Sequence, residues 1–415
     1  MTVDTFAALD LSGRLLRALE DADYKTPTPI QAKAIPLLLD GYDLLGIAQT
    51  GTGKTAAFTL PLLHNLEEDN ERPRPRCARA LILAPTRELA IQISESIKTY
   101  GRHMRMRHRV VMGGVGKRPQ ADALKRGVDI LVATPGRLID LLNGGHLDLG
   151  ACEYLVVDEA DRMLDMGFIR DVRRIVAKLP DERQTLLFSA TMPAEIARLA
   201  REILFEPERV EIAARSIAVE RIDQHVHHLD RSAKSARLKH LLRTPDFERV
   251  IVFTRTKRGA DRVVKQLGRG GVTAEALHGN KSQNARQRAL DNFREGRSRV
   301  LVATDIAARG IDIDGVTHVI NYEMPNEPES YVHRIGRTAR AGAQGIAISF
   351  CDPSERKNLH SIERLIKRPL TVSGENMPDG QPKLGAGARN GESRRRRGRR
   401  RGGHGRTADR SARWQ

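Results

Sequence analysis

Ala48-Gln49-Thr50-Gly51-Thr52-Gly53-Lys54-Thr55 is a glycine-rich turn that ends in Lys-Thr. Glycine suits a place where backbone amides must approach phosphate oxygens with no side chain in the way. Lys54 then carries an ammonium toward the terminal phosphates, and Thr55 offers a hydroxyl to Mg²⁺. On its own the run reads equally well as an ordinary turn between strand and helix, because the strict phosphate-loop pattern has glycine where Ala48 stands. Asp158-Glu159-Ala160-Asp161, which closes the apolar run Tyr154-Leu155-Val156-Val157, decides between the two. A pair of carboxylates at a strand end supplies what a phosphate-bound Mg²⁺ and an attacking water require. Taken together, the two runs describe a site that binds and hydrolyses ATP.

The same pattern sets the fold class. Short apolar runs rich in β-branched residues recur between helical stretches. They are Leu81–Ala84, Ile130–Ala133, Leu155–Val157 and Leu186–Phe188 in the first half, then Val250–Phe253, Val300–Ala303, Val319–Ile320 and Ile346–Phe350 in the second. Such alternation reads as α/β with parallel sheets whose strands are buried on both faces. Leu131-Val132-Ala133-Thr134 recurs as Leu301-Val302-Ala303-Thr304, an internal echo that supports duplication. Thr86-Arg87, Thr134-Pro135-Gly136-Arg137, Asp158-Glu159 and Ser189-Ala190-Thr191 all begin where a strand ends, which is where open α/β sheets bind ligands. A chain of 415 residues suits two domains, each able to bury its own core. Pro207 and a strandless stretch place the division: 1–207, a linker at 208–220, then 221–369.

The net charge of +18 points to a polyanionic partner. From Thr371 onward there are eleven arginines and one lysine against four acids, so this stretch and the body are both basic. After Pro369 the composition turns to Gly, Arg, Ser and Pro, with arginine blocks at 394–397 and 399–401. Such a tail, 370–415, lacks the apolar surface to fold alone and reads as disordered. Three dispersed cysteines (Cys77, Cys152, Cys351) give neither a disulfide framework nor a metal-ligand spacing. With no membrane-length apolar run and no signal-peptide pattern after Thr2-Val3-Asp4, the expectation is a soluble cytoplasmic protein with reduced thiols.

His333-Arg334-Ile335-Gly336-Arg337-Thr338-Ala339-Arg340 spaces three arginines three apart, roughly along one helical face. Either this is a solvated basic face, or it reaches across a cleft to the γ-phosphate. The second reading makes hydrolysis conditional on closure of two lobes.

These motifs, in this order, resemble the DEAD-box family of ATP-dependent RNA helicases, from about Phe6 to Lys367. The resemblance implies two tandem RecA-like domains. It implies that Tyr24, Thr28 and Gln31, in Tyr24-Lys25-Thr26-Pro27-Thr28-Pro29-Ile30-Gln31, read adenine. Thr50, Gly51, Thr52, Gly53, Lys54 and Thr55 would hold phosphates, with Thr55 and Asp158 at Mg²⁺, and Glu159 orienting or deprotonating the attacking water. Arg337 and Arg340 match γ-phosphate arginines, and Asp312 a residue near the ribose. Asp161, Ser189, Thr191, His333 and Arg334 match positions that couple the lobes. For RNA the matching positions are Pro85, Thr86, Arg87, Gly113, Gly114, Thr134, Gly136 and Arg137, then Arg255, His278, Gly279 and Thr304. Hydroxyls, amides and arginines of this kind suit a sugar–phosphate track with little sequence preference. Ribosomal precursors and RNA-degradation complexes follow as partners by the same similarity. The short amino-terminal extension and arginine-rich tail resemble the bacterial RhlE-type branch.

The chain departs from the family pattern at three places. Asp23 stands where glycine usually precedes the aromatic residue, Thr52 replaces the commoner serine, and Ala339 replaces glycine between Thr338 and Arg340. If that last backbone needs φ > 0, alanine strains it. Two other functions use the same residues: an ATP-gated RNA clamp or annealing protein, and a two-lobed DNA helicase. RNA's 2′-OH discriminates against the second.

Overall fold

The structure is a computed structural model that describes residues 5–49, 51–69, 71–212, 222–308, 313, 315–339 and 344–373. Each half of the chain lays seven strands into one parallel sheet. The first holds β1 (Leu44–Ile47), β2 (Ala78–Leu83), β3 (His108–Val111), β4 (Val128–Ala133), β5 (Tyr154–Val157), β6 (Gln184–Ser189) and β7 (Glu208–Glu211). The second holds β8 (Ile222–His228), β9 (Val250–Thr254), β10 (Ala274–Leu277), β11 (Val300–Thr304), β12 (His318–Asn321), β13 (Gly345–Cys351) and β14 (Thr371–Val372). Their spatial orders are β3-β4-β2-β5-β6-β1-β7 and β10-β11-β9-β12-β13-β8-β14. Raising each label of the first order by seven reproduces the second, so two RecA-like lobes share one topology. The Leu-Val-Ala-Thr echo falls at the ends of β4 and β11, which hold the same place in the two sheets.

Parallel strands need crossover connections, and the helices that supply them cover both faces of each sheet. Successive residues of a strand therefore enter two different cores. In the first lobe Ile82, Val132 and Val156 pack with Leu15, Ile35, Phe58 and Leu63 on one side. Leu81, Leu83, Leu131 and Val157 pack with Leu138, Val172 and Leu199 on the other. Burying each such side chain stabilises by roughly 1.5–3 kcal/mol. The interior strands consequently carry runs of consecutive apolar residues, such as Ala80–Leu83 and Ile130–Ala133, rather than alternate ones.

Two stretches differ from the sequence reading. The linker expected from 208 starts instead with β7, an edge strand paired with β1, with Val210 buried and Glu208, Arg209 and Glu211 exposed. Charges on an edge discourage pairing with another chain, and here they hide the strand in the sequence. Likewise Thr371–Val372, expected in the tail, pair with β8. The rest of the expected linker and tail, 213–220 and 374–415, lies outside the described residues, as do Thr50, Asp312 and Arg340. Among the described residues no helix is long and apolar enough to cross a membrane.

Candidate active site and nucleic-acid track

The glycine-rich turn joins β1 to the helix Lys54–Asp69. Gly53 adopts φ +91°, and a Cβ there would lie 2.5 Å from Gln31 Nε2 and 3.0 Å from Thr28 Oγ1. Only glycine fits both demands. The opposing segment is the start of the helix Pro29–Leu39, with Thr28 at the N-cap, Pro29 in the first turn and Gln31 at the third helical position. Gln31, fully buried, accepts the Thr28 N–H at 2.8 Å and donates Nε2–H to the Gly53 carbonyl at 3.0 Å. The expected adenine reader is thereby locked to the expected phosphate loop. Thr28 Oγ1 is buried without a hydrogen-bond partner among the described residues. Thr52 Oγ1 donates to the Gln49 carbonyl at 2.8 Å, and Lys54 Nζ to the Ala48 carbonyl at 2.6 Å. Tyr24 stays 40% exposed, its ring edge-on to Tyr100 at 6.0 Å, which leaves it a face to offer. Asp23, before it, adopts φ 56°.

Beyond β5, Asp158 and Glu159 are both buried. Asp158 accepts the Glu159 N–H at 2.9 Å, and Glu159 takes a left-handed φ of 51°. Burial pushes the Asp158 carboxyl well above the ordinary range, against the pull of Lys54 and with Glu159 adding to the rise. Burial also opposes charge on Glu159, but Arg162, Lys54 and Arg337 together hold its carboxyl below the ordinary range. Arg162 Nη1 reaches Glu159 Oε2 at 2.6 Å. The two carboxylates are thus driven apart in proton affinity by their neighbours. Asp161 accepts from both Thr191 N–H (3.0 Å) and Thr191 Oγ1 (2.9 Å), while its own N–H donates to Ser189 Oγ at 3.2 Å. The three residues expected to act together form one network.

The second lobe brings Arg337 and His333 opposite these groups. With Glu159, Asp161, Thr191 and Glu329 they line an interlobe cavity of about 560 Å³. Arg337 is buried, donates Nε–H to the His333 carbonyl at 3.2 Å, and lies close enough to Glu159 to favour its charge. Arg334 does not follow the expectation of an interlobe group. Its Nε and Nη2 hold Asp305 at 2.6 and 2.8 Å, and Nη1 holds Asn321 and the Glu323 carbonyl, all within the second lobe. A buried guanidinium needs partners for its donors, and these bonds engage four of the five, so it fixes the helix Pro328–Ile335 that carries His333 and leads into Arg337. Ala339 adopts φ 56°.

The expected RNA positions gather at equivalent places in the two lobes. Thr86-Arg87, Gly113-Gly114 and Thr134–Arg137 follow β2, β3 and β4; Arg255, His278-Gly279 and Thr304 follow or end β9, β10 and β11. Those strands correspond one to one. Thr86 Oγ1 accepts the Leu89 N–H at 3.3 Å, and Thr134 precedes the helix Pro135–Asn143, so both positions sit at helix amino termini suited to phosphate. Arg137 Nη1 donates to the Val115 carbonyl at 2.9 Å. The Arg255 N–H donates to Glu323 Oε2 at 2.8 Å.

The sequence reading missed the contact that docks the lobes here. Buried Glu88 accepts from Gln283 Nε2 at 3.2 Å and from Arg286 Nη2 at 2.9 Å, and Arg87 Nη1 stands 3.4 Å from Gln283 Oε1. In sequence, Glu88 is an acid in a first helical turn and Arg286 a helical surface charge, each with an ordinary explanation.

Among the described residues no three His, Cys, Asp or Glu side chains converge to hold a metal by themselves. Thr55 and Asp158 offer hard oxygen donors, and the burial that disfavours charge on Asp158 is what a divalent cation offsets. The residues fit Mg²⁺ shared with phosphates.

Residues 28–199 match the DEAD/DEAH box helicase family, and 233–342 match the helicase conserved C-terminal domain. The DEAD-box ATP-dependent RNA helicase CshA of Geobacillus kaustophilus is 47% identical over 88% of this chain and 77% of its own length. The chain belongs to the DEAD-box helicase family. Among solved structures, S. cerevisiae Dbp5 bound to RNA and ADP BeF3 is 32% identical and superimposes with a TM-score of 0.81, covering 89% of this chain and 96% of that one. A point variant of Dbp5 gives 0.81 in that bound state, but 0.61 when bound to Nup159, a Gle1 variant, IP6 and ADP (31% identity, 87% and 95% covered). This chain thus superimposes better on the RNA-bound form than on that one.

Proposed function

We propose that this protein is an RNA-stimulated ATPase that pries apart short RNA duplexes and remodels ribonucleoprotein. The observation that carries the reading is Arg337 of the second lobe facing Glu159 of the first. Glu159, kept ionised by Arg162, Lys54 and Arg337, orients the attacking water and takes its proton. Lys54 and Arg337 meet the charge that develops on the transferred phosphoryl group; such an arginine is worth roughly 10³–10⁵ in rate. Mg²⁺, held through Asp158 and Thr55, would neutralise phosphate charge. Thr28, Gln31 and Tyr24 orient the base, and Arg340 and Asp312 complete the nucleotide shell by family resemblance.

RNA lies along the matched strand ends of both lobes, where it favours their docking through Glu88, Gln283 and Arg286. Docking positions Arg337, so hydrolysis depends on RNA, and loss of the γ-phosphate releases the lobes. The Asp161–Ser189–Thr191 network passes the state of the acidic pair to the cavity wall that His333 faces. We further assign the arginine-rich tail to non-specific RNA affinity, a cytoplasmic location, and ribosomal precursors or degradation complexes as settings. The tail favours an RhlE-type placement within the family, whereas the Geobacillus relative bears the name CshA.

The test is steady-state ATP turnover without nucleic acid, with single-stranded RNA, and with DNA of the same sequence, beside displacement of a short RNA duplex. Stimulation by RNA with displacement is expected. Equal stimulation by DNA overturns the RNA assignment, and ATP-dependent RNA retention without displacement favours the clamp.

A further inference from the structure

Gly101-Arg102-His103-Met104-Arg105-Met106-Arg107-His108-Arg109 leads into β3, the outer edge of the first sheet. Met104, Met106 and Val110 pack onto the core, so Arg105, Arg107 and Arg109 alternate outward, and all three are exposed. Exposed Lys98 and Arg126 flank them. Arg107 Nη1 donates to the Arg126 carbonyl at 3.3 Å, and Lys98 and Arg109 both act on His108 between them. None of Lys98, Arg105, Arg107, Arg109 and Arg126 forms an ion pair with a carboxylate among the described residues.

We propose that this basic edge is a second RNA-backbone surface, continuous with the interlobe track, that takes the strand just outside it. The proposal rests on the RNA track assigned above. Continuity comes from the loop after β3. A Cβ at Gly114, where φ is +82°, would lie 2.0 Å from Arg87 Nη1, and the Val115 carbonyl is held by Arg137. The strand that carries Arg109 therefore runs directly into the loop that holds the track's own arginines. Outward residues of an extended chain recur every ~6.8 Å, so Arg105 to Arg109 spans ~14 Å, about four nucleotides at 3.4 Å each.

Edge strands often carry charge merely to prevent pairing with other chains. The opposite edge of the same sheet shows that arrangement: β7 carries both signs, with Arg209 paired to Glu211 at 2.8 Å. At the β3 edge Asp129 accepts the Arg107 N–H at 2.6 Å and Asp21 pairs with Arg102 and His103, but the side chains of Arg105, Arg107 and Arg109 carry no such partner among the described residues. Mutual repulsion of that kind is relieved by a polyanion rather than by water.

The experiment compares a short RNA confined to the track with RNAs extended by about four nucleotides at either end, across a salt series with a non-hydrolysable ATP analogue. It uses the full chain, the variant R105Q/R107Q/R109Q, the lysine variant R105K/R107K/R109K, and R198Q/R201Q as a control elsewhere on the lobe. Extension at one end tightens binding to the unaltered chain. The glutamine variant loses that gain and its log–log salt slope falls by about 2, the value for three contacts at ~0.7 each. The lysine variant and the control keep both. A retained gain in the glutamine variant overturns the proposal; if that protein also self-associates, the arginines are edge guards only. Failure of the unaltered chain to bind the short RNA refutes the track itself, a separate result.

Discussion

Lys54 and Lys234 are topological twins with opposite fates. Each opens the helix after the first strand of its sheet, and each is buried. Before Lys54 runs a loop of glycines; before Lys234 runs Leu229-Asp230-Arg231-Ser232-Ala233, with none. Lys54 donates to a loop carbonyl at 2.6 Å and faces an acidic pair. Lys234 is clasped by Asp352 at 3.1 Å and by Glu355. The counterparts of Asp158-Glu159, beyond β12, are Tyr322-Glu323, and Glu323 is occupied by the Arg255 N–H. One scaffold is thus used twice. In the first lobe the lysine's counter-charge is left for a phosphate, and in the second the chain supplies it.

Exchanging each lysine for methionine breaks the comparison most directly. Lys54→Met abolishes ATP turnover with little change in unfolding temperature. Lys234→Met leaves Asp352 and Glu355 buried without their cation, which costs about 3–5 kcal/mol, and a calorimetric transition falls accordingly. Equal losses of Tm in the two variants would end the idea that only one lysine is structural.

Arg334 and Arg337 repeat the contrast three residues apart, at the end of one helix and just beyond it. Arg337→Ala lowers RNA-stimulated turnover by roughly 10³-fold while ATP affinity and Tm change little. Arg334→Ala strands Asp305 and lowers Tm. If Arg337→Ala reduced affinity and turnover in parallel, its role would be binding rather than transition-state stabilisation.

These pairs also show what the sequence could reveal. Strands buried on both faces, such as β2, β4, β9 and β11, each carry a run of four apolar residues and are legible as runs. The edge strands β3, β7, β10 and β14 are short or mixed with charge, because only one side of each pairs. Gln31, Lys54, Asp158 and Glu159 were legible because their chemistry demands particular residues. Arg334 carries the same motif signal as Arg337, and only the positions of Asp305 and Asn321 separate them. Glu88, Gln283 and Arg286 gain meaning solely from the docking of two lobes, a long-range fact that no local pattern records.

Ala339 sharpens the comparison at a smaller scale. Its φ of 56° is the region that costs an L-residue about 1–2 kcal/mol. Glycine removes that strain but adds unfolded-state entropy, so Ala339→Gly should stabilise by ~1 kcal/mol, raising Tm by about 2–4 °C. It should also raise turnover at limiting RNA, where placing the neighbouring arginine matters most. Asp23→Gly, at a similar φ of 56°, should do less, since aspartate tolerates this conformation better. A Tm that falls on Ala339→Gly would mean that surrounding contacts already compensate the strain.

The smallest expected effect separates the lobes by acid sensitivity. His227 of the second lobe is buried, stacked on Phe350 at 5.8 Å between ring centroids. Its Nδ1 accepts from Arg237 Nε at 3.1 Å, which leaves Nε2–H to meet Ser373 Oγ at 3.0 Å. Burial first, then Arg237 and His225, push its proton affinity down from 6.5 to about 4. Unfolded chains take up this proton as pH falls below 6.5, whereas the folded lobe resists until about 4. Stability from His227 is therefore complete above 6.5 and declines between those values. His227→Gln should lose less Tm between pH 7 and 5 than the unaltered chain does. An identical loss in both would move the acid sensitivity to another buried group, with His318, whose proton affinity burial also lowers, the next to test.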